Sequence, residues 1–284
     1  MKTMKIMKRL MGCAAAILAL TACSESEDLL AAYHSDSKAV HITAQVGKAS
    51  ADGFTRSNPL GATAEEQAKF NENDEISVKA DDQDAVTYKL VGSEWQPQGG
   101  KFLKWEKETM NFTAYYPASF DGNITQPTEY TSPESLAAAD FMSFTGNVTN
   151  SGNNSLTLTM ERKMARVVVE IAAFNDQYTK NATVKSVTIN GNIKAYKHET
   201  DGKFYALINP NSISGATAPF LTLEVEDGTS TTTETLTTTP TFAAGKSYTY
   251  KLTVGKNKVS IKGITVANWN TGTITDNGKA EQII

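Results

Sequence analysis

An all-β fold, built as two β-sandwiches in tandem, is what this sequence predicts, and three observations predict it. Apolar and polar residues alternate over runs of about five residues, the period of a strand with one buried face. Clusters of Gly, Asn, Asp and Pro punctuate these runs at short, regular spacing, as a sandwich architecture requires. The chain has 284 residues, 40% of them hydrophobic and 20% charged, enough to fill two cores at about 150 residues per domain.

Taken in order, residues 1–22 read as a secretory leader. Lys2, Lys5, Lys8 and Arg9 precede the apolar run Ala14 to Leu20 and a small-residue step, and that run is too short to span a bilayer as a mature helix. Cleavage between Ala22 and Cys23 makes Cys23 the new N-terminus. The pattern resembles the lipobox of bacterial lipoproteins, whose cysteine is acylated, with palmitate as an expected chain. An ordinary cleavage site with an incidental cysteine is the alternative. Residues 23–38 are polar and lack periodicity, and read as a flexible tether. Their acidic start, Ser24 to Asp28, resembles signals that send lipoproteins to the outer face of the outer membrane; a solvated linker is the plain alternative.

The N-terminal sandwich is expected over residues 39–160. Val40, Ile42, Ala44 and Val46 alternate with His41, Thr43 and Gln45 as its first strand. A polar loop through Thr55, Arg56 and Ser57 follows, and Thr63 with Glu66 can cap a short helix running to about Phe70. Strands are then expected around Ile76 and Val78, around Val86, Tyr88 and Leu90, at Trp95, and from Phe102 through Met110 and Phe112 to Tyr116, where Pro117 ends the run. Ser132 before Pro133 predicts a single helical turn, and Leu156, Leu158 and Met160 alternate again.

The C-terminal sandwich and its tail are expected over residues 161–284. The β-branched run Arg166 to Ile171 opens it, and Val184, Val187 and Ile189 form a strand turned by Asn190-Gly191-Asn192. Phe204 to Ile208, then Leu221, Leu223 and Val225, are further strands. The threonine-rich stretch Thr229 to Thr239 reads as an edge strand with its hairpin, with a disordered loop as the rival. Tyr248, Tyr250, Leu252 and Val254 alternate most cleanly of all, and Val259 to Trp269 finishes the strands.

Charge and chemistry narrow the function. The chain holds 27 basic and 31 acidic residues; losing the four basic residues of the leader leaves 23, so the mature chain carries −8. An acidic chain without a basic patch argues against nucleic acid as a partner. The two cysteines are Cys13, in the leader, and Cys23, so no disulfide, thiolate metal site or thiol nucleophile is expected. His34, His41 and His198 are scattered, without metal-ligand spacing. The Asp81, Asp82 and Asp84 cluster lacks the glycine and distal glutamate of a calcium loop, so a solvated turn is expected. No nucleophile elbow, P-loop or zinc-protease motif is present. The chain therefore reads as no enzyme, with no catalytic residue, metal or cofactor. Trp95, Trp105, Tyr115 and Tyr116 are either core or a stacking platform for sugars. The second of these gives the alternative function, a glycan-binding outer-membrane surface lipoprotein that does not polymerise.

Several stretches in order resemble the fimbrillin-like lipoproteins, the subunits of type V pili and their relatives, over most of residues 40–270. They are Thr55-Arg56, Asn73 to Val78, Asn111 to Pro117, Leu156 to Val169, Ala206 to Pro210, Phe242 to Val254 and Ile264 to Trp269. The resemblance implies two transthyretin-like/Ig-like β-sandwich domains and a lipid-anchored protein of the outer membrane surface. It implies a structural or adhesive subunit of a fimbrium. Its partners would be other fimbrial subunits, the membrane through an N-terminal lipid, and a host or bacterial surface ligand. It also implies a protease cut after Arg56 that releases the strand of Val40, Ile42, Ala44 and Val46. A strand from the C-terminal segment of the next subunit would then fill the groove. An exposed loop arginine with no such role is the plain reading of Arg56.

Overall fold

The computed structural model describes residues 26–47, 69–213, 219–256 and 258–268. Leader, Cys23, the Thr55-Arg56 loop and the residues from Trp269 onward lie outside them. So do residues 63–68, which hold most of the expected short helix. The fold is all-β, with sixteen strands among the described residues, β1 to β16. They form a seven-stranded sheet in the order β1-β7-β6-β5-β2-β3-β4, a four-stranded sheet β10-β9-β13-β14, and a five-stranded sheet β11-β12-β8-β15-β16.

The seven-stranded sheet uses β1 His41–Val46, β2 Glu75–Ala80, β3 Val86–Val91, β4 Glu94–Pro97, β5 Thr109–Tyr116, β6 Met142–Thr149 and β7 Ser155–Arg162. In β2, β5 and β7 every second residue is buried, so one face carries the core. Ile76, Val78, Tyr88, Phe112, Leu156 and Leu158 are shut off from solvent there. β6, with only Met142 buried, was not legible in the sequence pattern.

The other two sheets enclose a second core. The four-stranded sheet has β9 Thr183–Ile189, β10 Ile193–Lys194, β13 Leu221–Asp227 and β14 Ser230–Leu236. The five-stranded sheet has β8 Ala165–Phe174, β11 Tyr196–Lys197, β12 Phe204–Ile208, β15 Lys246–Gly255 and β16 Lys258–Asn268. The turn between β9 and β10 needs two successive left-handed residues, Asn190 at φ 49° and Gly191 at φ 75°, which is why Asn-Gly stands there. The threonine-rich stretch is strand, β14, at the edge of its sheet against β13. β8 lies between β12, antiparallel, and β15, parallel. A parallel neighbour requires a long crossover, and the chain from β9 to β14 provides it.

The described residues fall into two compact units, one from 26–44, 71–114 and 144–158, the other from 45–47, 69–70, 115–143 and the described residues between 159 and 268. The excursion 115–143 therefore clusters with the second unit. It begins after β5 at the cis peptide Tyr116-Pro117 and carries the helix Pro133–Ala138. Ser132 caps that helix and Pro133 opens it, as the sequence predicts. Tyr130, Leu136 and Ala139 belong to the second core. The Tyr130 hydroxyl donates to the Leu207 carbonyl at 2.6 Å. All five residues of β12 are consequently buried, on both faces of the strand.

The stretch expected as a flexible tether is corrected. Residues 26–35 form a helix, α1, and Tyr33 within it is 1% exposed. Leu29 and Tyr33 stand four apart with Leu30 between them, and that is enough apolar surface to dock one helical face. The Pro133–Ala138 helix is α2.

Candidate functional site

The site is the first strand and what surrounds it. Val40 and Ile42 are buried, Ala44 half-buried and Val46 buried, so alternate side chains enter the core face as expected. β1 is the terminal strand of its sheet, with β7 as its neighbour. An edge strand can leave without breaking the ladder between the strands that remain.

The chain just before β1 is held on two sides. The Val40 amide donates to the Leu103 carbonyl at 2.9 Å and the Trp105 amide to the Lys38 carbonyl at 2.8 Å. The His41 amide donates to the Asn154 carbonyl at 2.9 Å, and Asn154 Nδ2 donates to the Ser37 carbonyl at 2.7 Å. Further along, Gln45 Nε2 donates to Thr159 Oγ1 at 3.1 Å and the Gly47 amide to the Met160 carbonyl at 2.7 Å.

Polar side-chain contacts ring the same segment. Lys104 Nζ lies 2.7 Å from Asp36 and Lys38 Nζ 3.2 Å from Glu106, and His34 Nε2 and Glu94 Oε1 form a hydrogen bond at 2.6 Å. The hydrogen bond from Lys104, followed by that from the Lys38 amide, holds the Asp36 carboxyl below its usual pKa. These pairs are solvent-exposed to different degrees, so water and salt screen them and each holds the segment only weakly.

Tyr33 is the deepest contact of α1. Its hydroxyl donates to the Val40 carbonyl at 3.1 Å. Its ring meets Phe102 edge-on at 5.5 Å and Tyr88 edge-on at 6.5 Å, with His41 at 4.9 Å. Burial, and then the Glu94 charge, push its pKa up to about 12. An unfolded tyrosine titrates near 10, so this contribution to docking is complete below about pH 10. It is lost as pH rises toward 12. Amide exchange in β7, followed from pH 9 to 12, is expected to accelerate in that window, and Tyr33→Phe is expected to lose this part of the acceleration.

Other expected positions fall elsewhere. Trp95 is 3% exposed, Trp105 5% and Tyr116 6%, and Tyr115 is half-buried. Trp105 packs edge-on against Phe112 at 5.1 Å and donates its indole N–H to the Asn154 carbonyl. A sugar-stacking platform of these residues is thereby overturned. Asp81 and Asp84 lie in a turn near Lys107 and Lys101, at 3.7 and 3.1 Å. Among the described residues no cluster of His, Cys, Asp and Glu is placed to hold a metal, and no helix is long and apolar enough to cross a membrane. Cys23, Ala22 and Arg56 fall outside the described residues.

Comparison with known proteins then decides the family. The fimbrillin-like family model matches residues 47–269. The chain belongs to the fimbrillin-like family. The matched span starts just after β1, so the match covers the body of this fimbrillin-like chain and not α1 or β1. A candidate cell-adhesion protein from Bacteroides uniformis shares the fold, with a TM-score of 0.55 at 15% identity, over 81% of this chain and 98% of that one. A second, from Bacteroides ovatus, gives 0.54 at 16% identity, over 85% and 100%. At such identities the likeness is one of fold. No curated protein sequence matches this fimbrillin-like chain.

Proposed function

We propose that this protein is a fimbrial subunit of the cell surface, held to the outer membrane by lipid at Cys23, and that it accepts a strand from a partner subunit in place of β1. A cut after Arg56 would sever both anchor and first strand from the body. The observation that carries this reading is the position of β1. It is a terminal strand of its sheet, and it presents buried Ile42 and Val46 on one face, with buried Val40 directly ahead of it. Its departure would leave β7 with unpaired N–H and C=O groups above an apolar slot, the kind of edge that another chain's strand restores. Donor and slot lie at different places on a subunit, so such contacts extend into a filament without closing. Family membership supports the fimbrial setting.

The test uses the full chain after limited trypsin treatment and a fluorescent peptide of residues 29–46. Mass spectrometry is expected to show a cut after Arg56. The peptide is expected to enter cut protein, displace the original segment, and leave uncut protein untouched. Equal exclusion from cut and uncut protein would overturn strand exchange.

A further inference from the structure

Resting on the lipid-anchor reading, we propose that the end of the first unit where α1 begins lies directly against the membrane surface. The partner of this face is the headgroup layer of the bilayer that holds the lipid of Cys23, and the anchored protein has no free tether.

The docking of α1 carries the inference. Ser26, the first residue of α1, follows Cys23 by three residues, a link that spans at most about 10 Å. A flexible coil from Cys23 to Lys38 would instead average about 20 Å end to end, with a full reach of about 50 Å. The headgroup layer on each side of a bilayer is about 5–8 Å thick. A lipid at Cys23 therefore leaves the start of α1 at the outer edge of that layer.

The body must follow, because α1 is fixed to it at both ends. Near its end, Tyr33 is 1% exposed and donates to the Val40 carbonyl, and His34 bonds Glu94 at the start of β4. Near its beginning, Leu29 and Leu30 are half-buried and flank one cleft with Gln96, Pro97 and Gly100. β4 thus runs beside α1 in the opposite direction, and α1 begins at the end of the sheet that carries the Gly99-Gly100 turn. Lys101 follows that turn, with Nζ 3.1 Å from Asp84 in the turn between β2 and β3. Ser93 lies in the turn between β3 and β4, at the far end of the same strands. The six residues of β3 separate the two ends, about 20 Å at the rise of a strand. Charge does not draw this face to lipid. Glu27 and Asp28 are exposed in the first turn of α1, and anionic lipid attracts basic segments. The covalent link alone imposes the contact.

The experiment uses the full lipidated chain in phosphatidylcholine vesicles that contain a headgroup spin-labelled lipid as quencher. Cys13 leaves with the leader and the Cys23 thiol carries the lipid, so an introduced Lys101→Cys or Ser93→Cys is the one site for a fluorophore. Quenching is expected to be at least about threefold stronger at position 101 than at 93, because the headgroup layer does not extend to a probe about 20 Å further out. Tyr33→Ala, which loosens α1, is expected to remove most of that difference. Equal quenching at the two positions overturns the membrane-facing surface and leaves the lipid anchor standing, and so does a full difference that survives Tyr33→Ala. A Cys23 peptide without acyl mass overturns the anchor and this placement together.

Discussion

Asp140→Ala is expected to lower the folding free energy by about 3–5 kcal/mol, read as a large downward shift in the urea midpoint. Asp140 is 0% exposed and sits where α2 hands the chain to β6. Arg162 Nε donates to both its carboxylate oxygens, at 3.1 and 3.0 Å, and the Arg162 side chain is 2% exposed. A second guanidinium is close enough to matter. Arg166 is drawn down to about 10, first by burial and then by the charge of Arg162. Alanine at 140 takes the carboxylate away from Arg162 Nε while a second desolvated guanidinium stays close. Removing one partner of a buried pair costs more than the net worth of the pair. Replacing both partners together, Asp140→Leu with Arg162→Met, is expected to recover most of the loss. At the surface, Lys185 lies 2.6 Å from Glu226 with both side chains open to water. Glu226→Ala is expected to leave the urea midpoint nearly unchanged.

That pair also shows where sequence reading stops. β2, β5, β7 and β13 were legible because one face of each is buried and the period of two is written in the side chains. Val40, Ile42 and Val46 were legible for the same reason. The attachment of residues 115–143 to the second core was not. It rests on long-range contacts, among them Tyr130 and Gln126 to the Leu207 carbonyl, the Tyr130 amide to the Lys194 carbonyl and the burial of Leu136 and Ala139, and no local period encodes a contact across tens of residues. α1 was missed on a different ground. Leu29, Leu30 and Tyr33 make only one short apolar stripe in ten residues, a weak helical signal, and the strength of its docking comes from Tyr88 and Phe102, far along the chain. The aromatic platform failed because an aromatic residue looks the same from sequence whether it faces core or solvent. Only the burial of Trp95 and Trp105 separates the two.

The second large effect is expected from Val40→Asp, which should open the strand groove without any protease. Val40 is 0% exposed; its amide bonds Leu103, its carbonyl accepts from Tyr33, and its side chain lies on the core face. A carboxylate there loses its hydration, at a cost of several kcal/mol in real interiors. The backbone can avoid that cost only by undocking β1. Undocking breaks the ladder to β7 and exposes Tyr33 and Ile42, so the penalty is shared between a charged docked state and an opened one. The readout is entry of the labelled 29–46 peptide into uncut protein, which the parent chain excludes. Val40→Thr, similar in shape and uncharged, is expected to admit far less peptide. The sign of the pH dependence follows from the same physics. Burial raises the pKa of the new carboxyl in the docked state, so lowering the pH toward about 4 neutralises it and favours docking. Peptide entry into Val40→Asp is therefore expected to fall as pH drops from 7 to about 4.5, whereas entry into trypsin-cut parent protein has no such carboxyl to titrate. If Val40→Asp stays closed to the peptide at pH 7, β1 is held by more than its buried face. The contacts of α1, with Tyr33 at their centre, would then set the barrier to exchange.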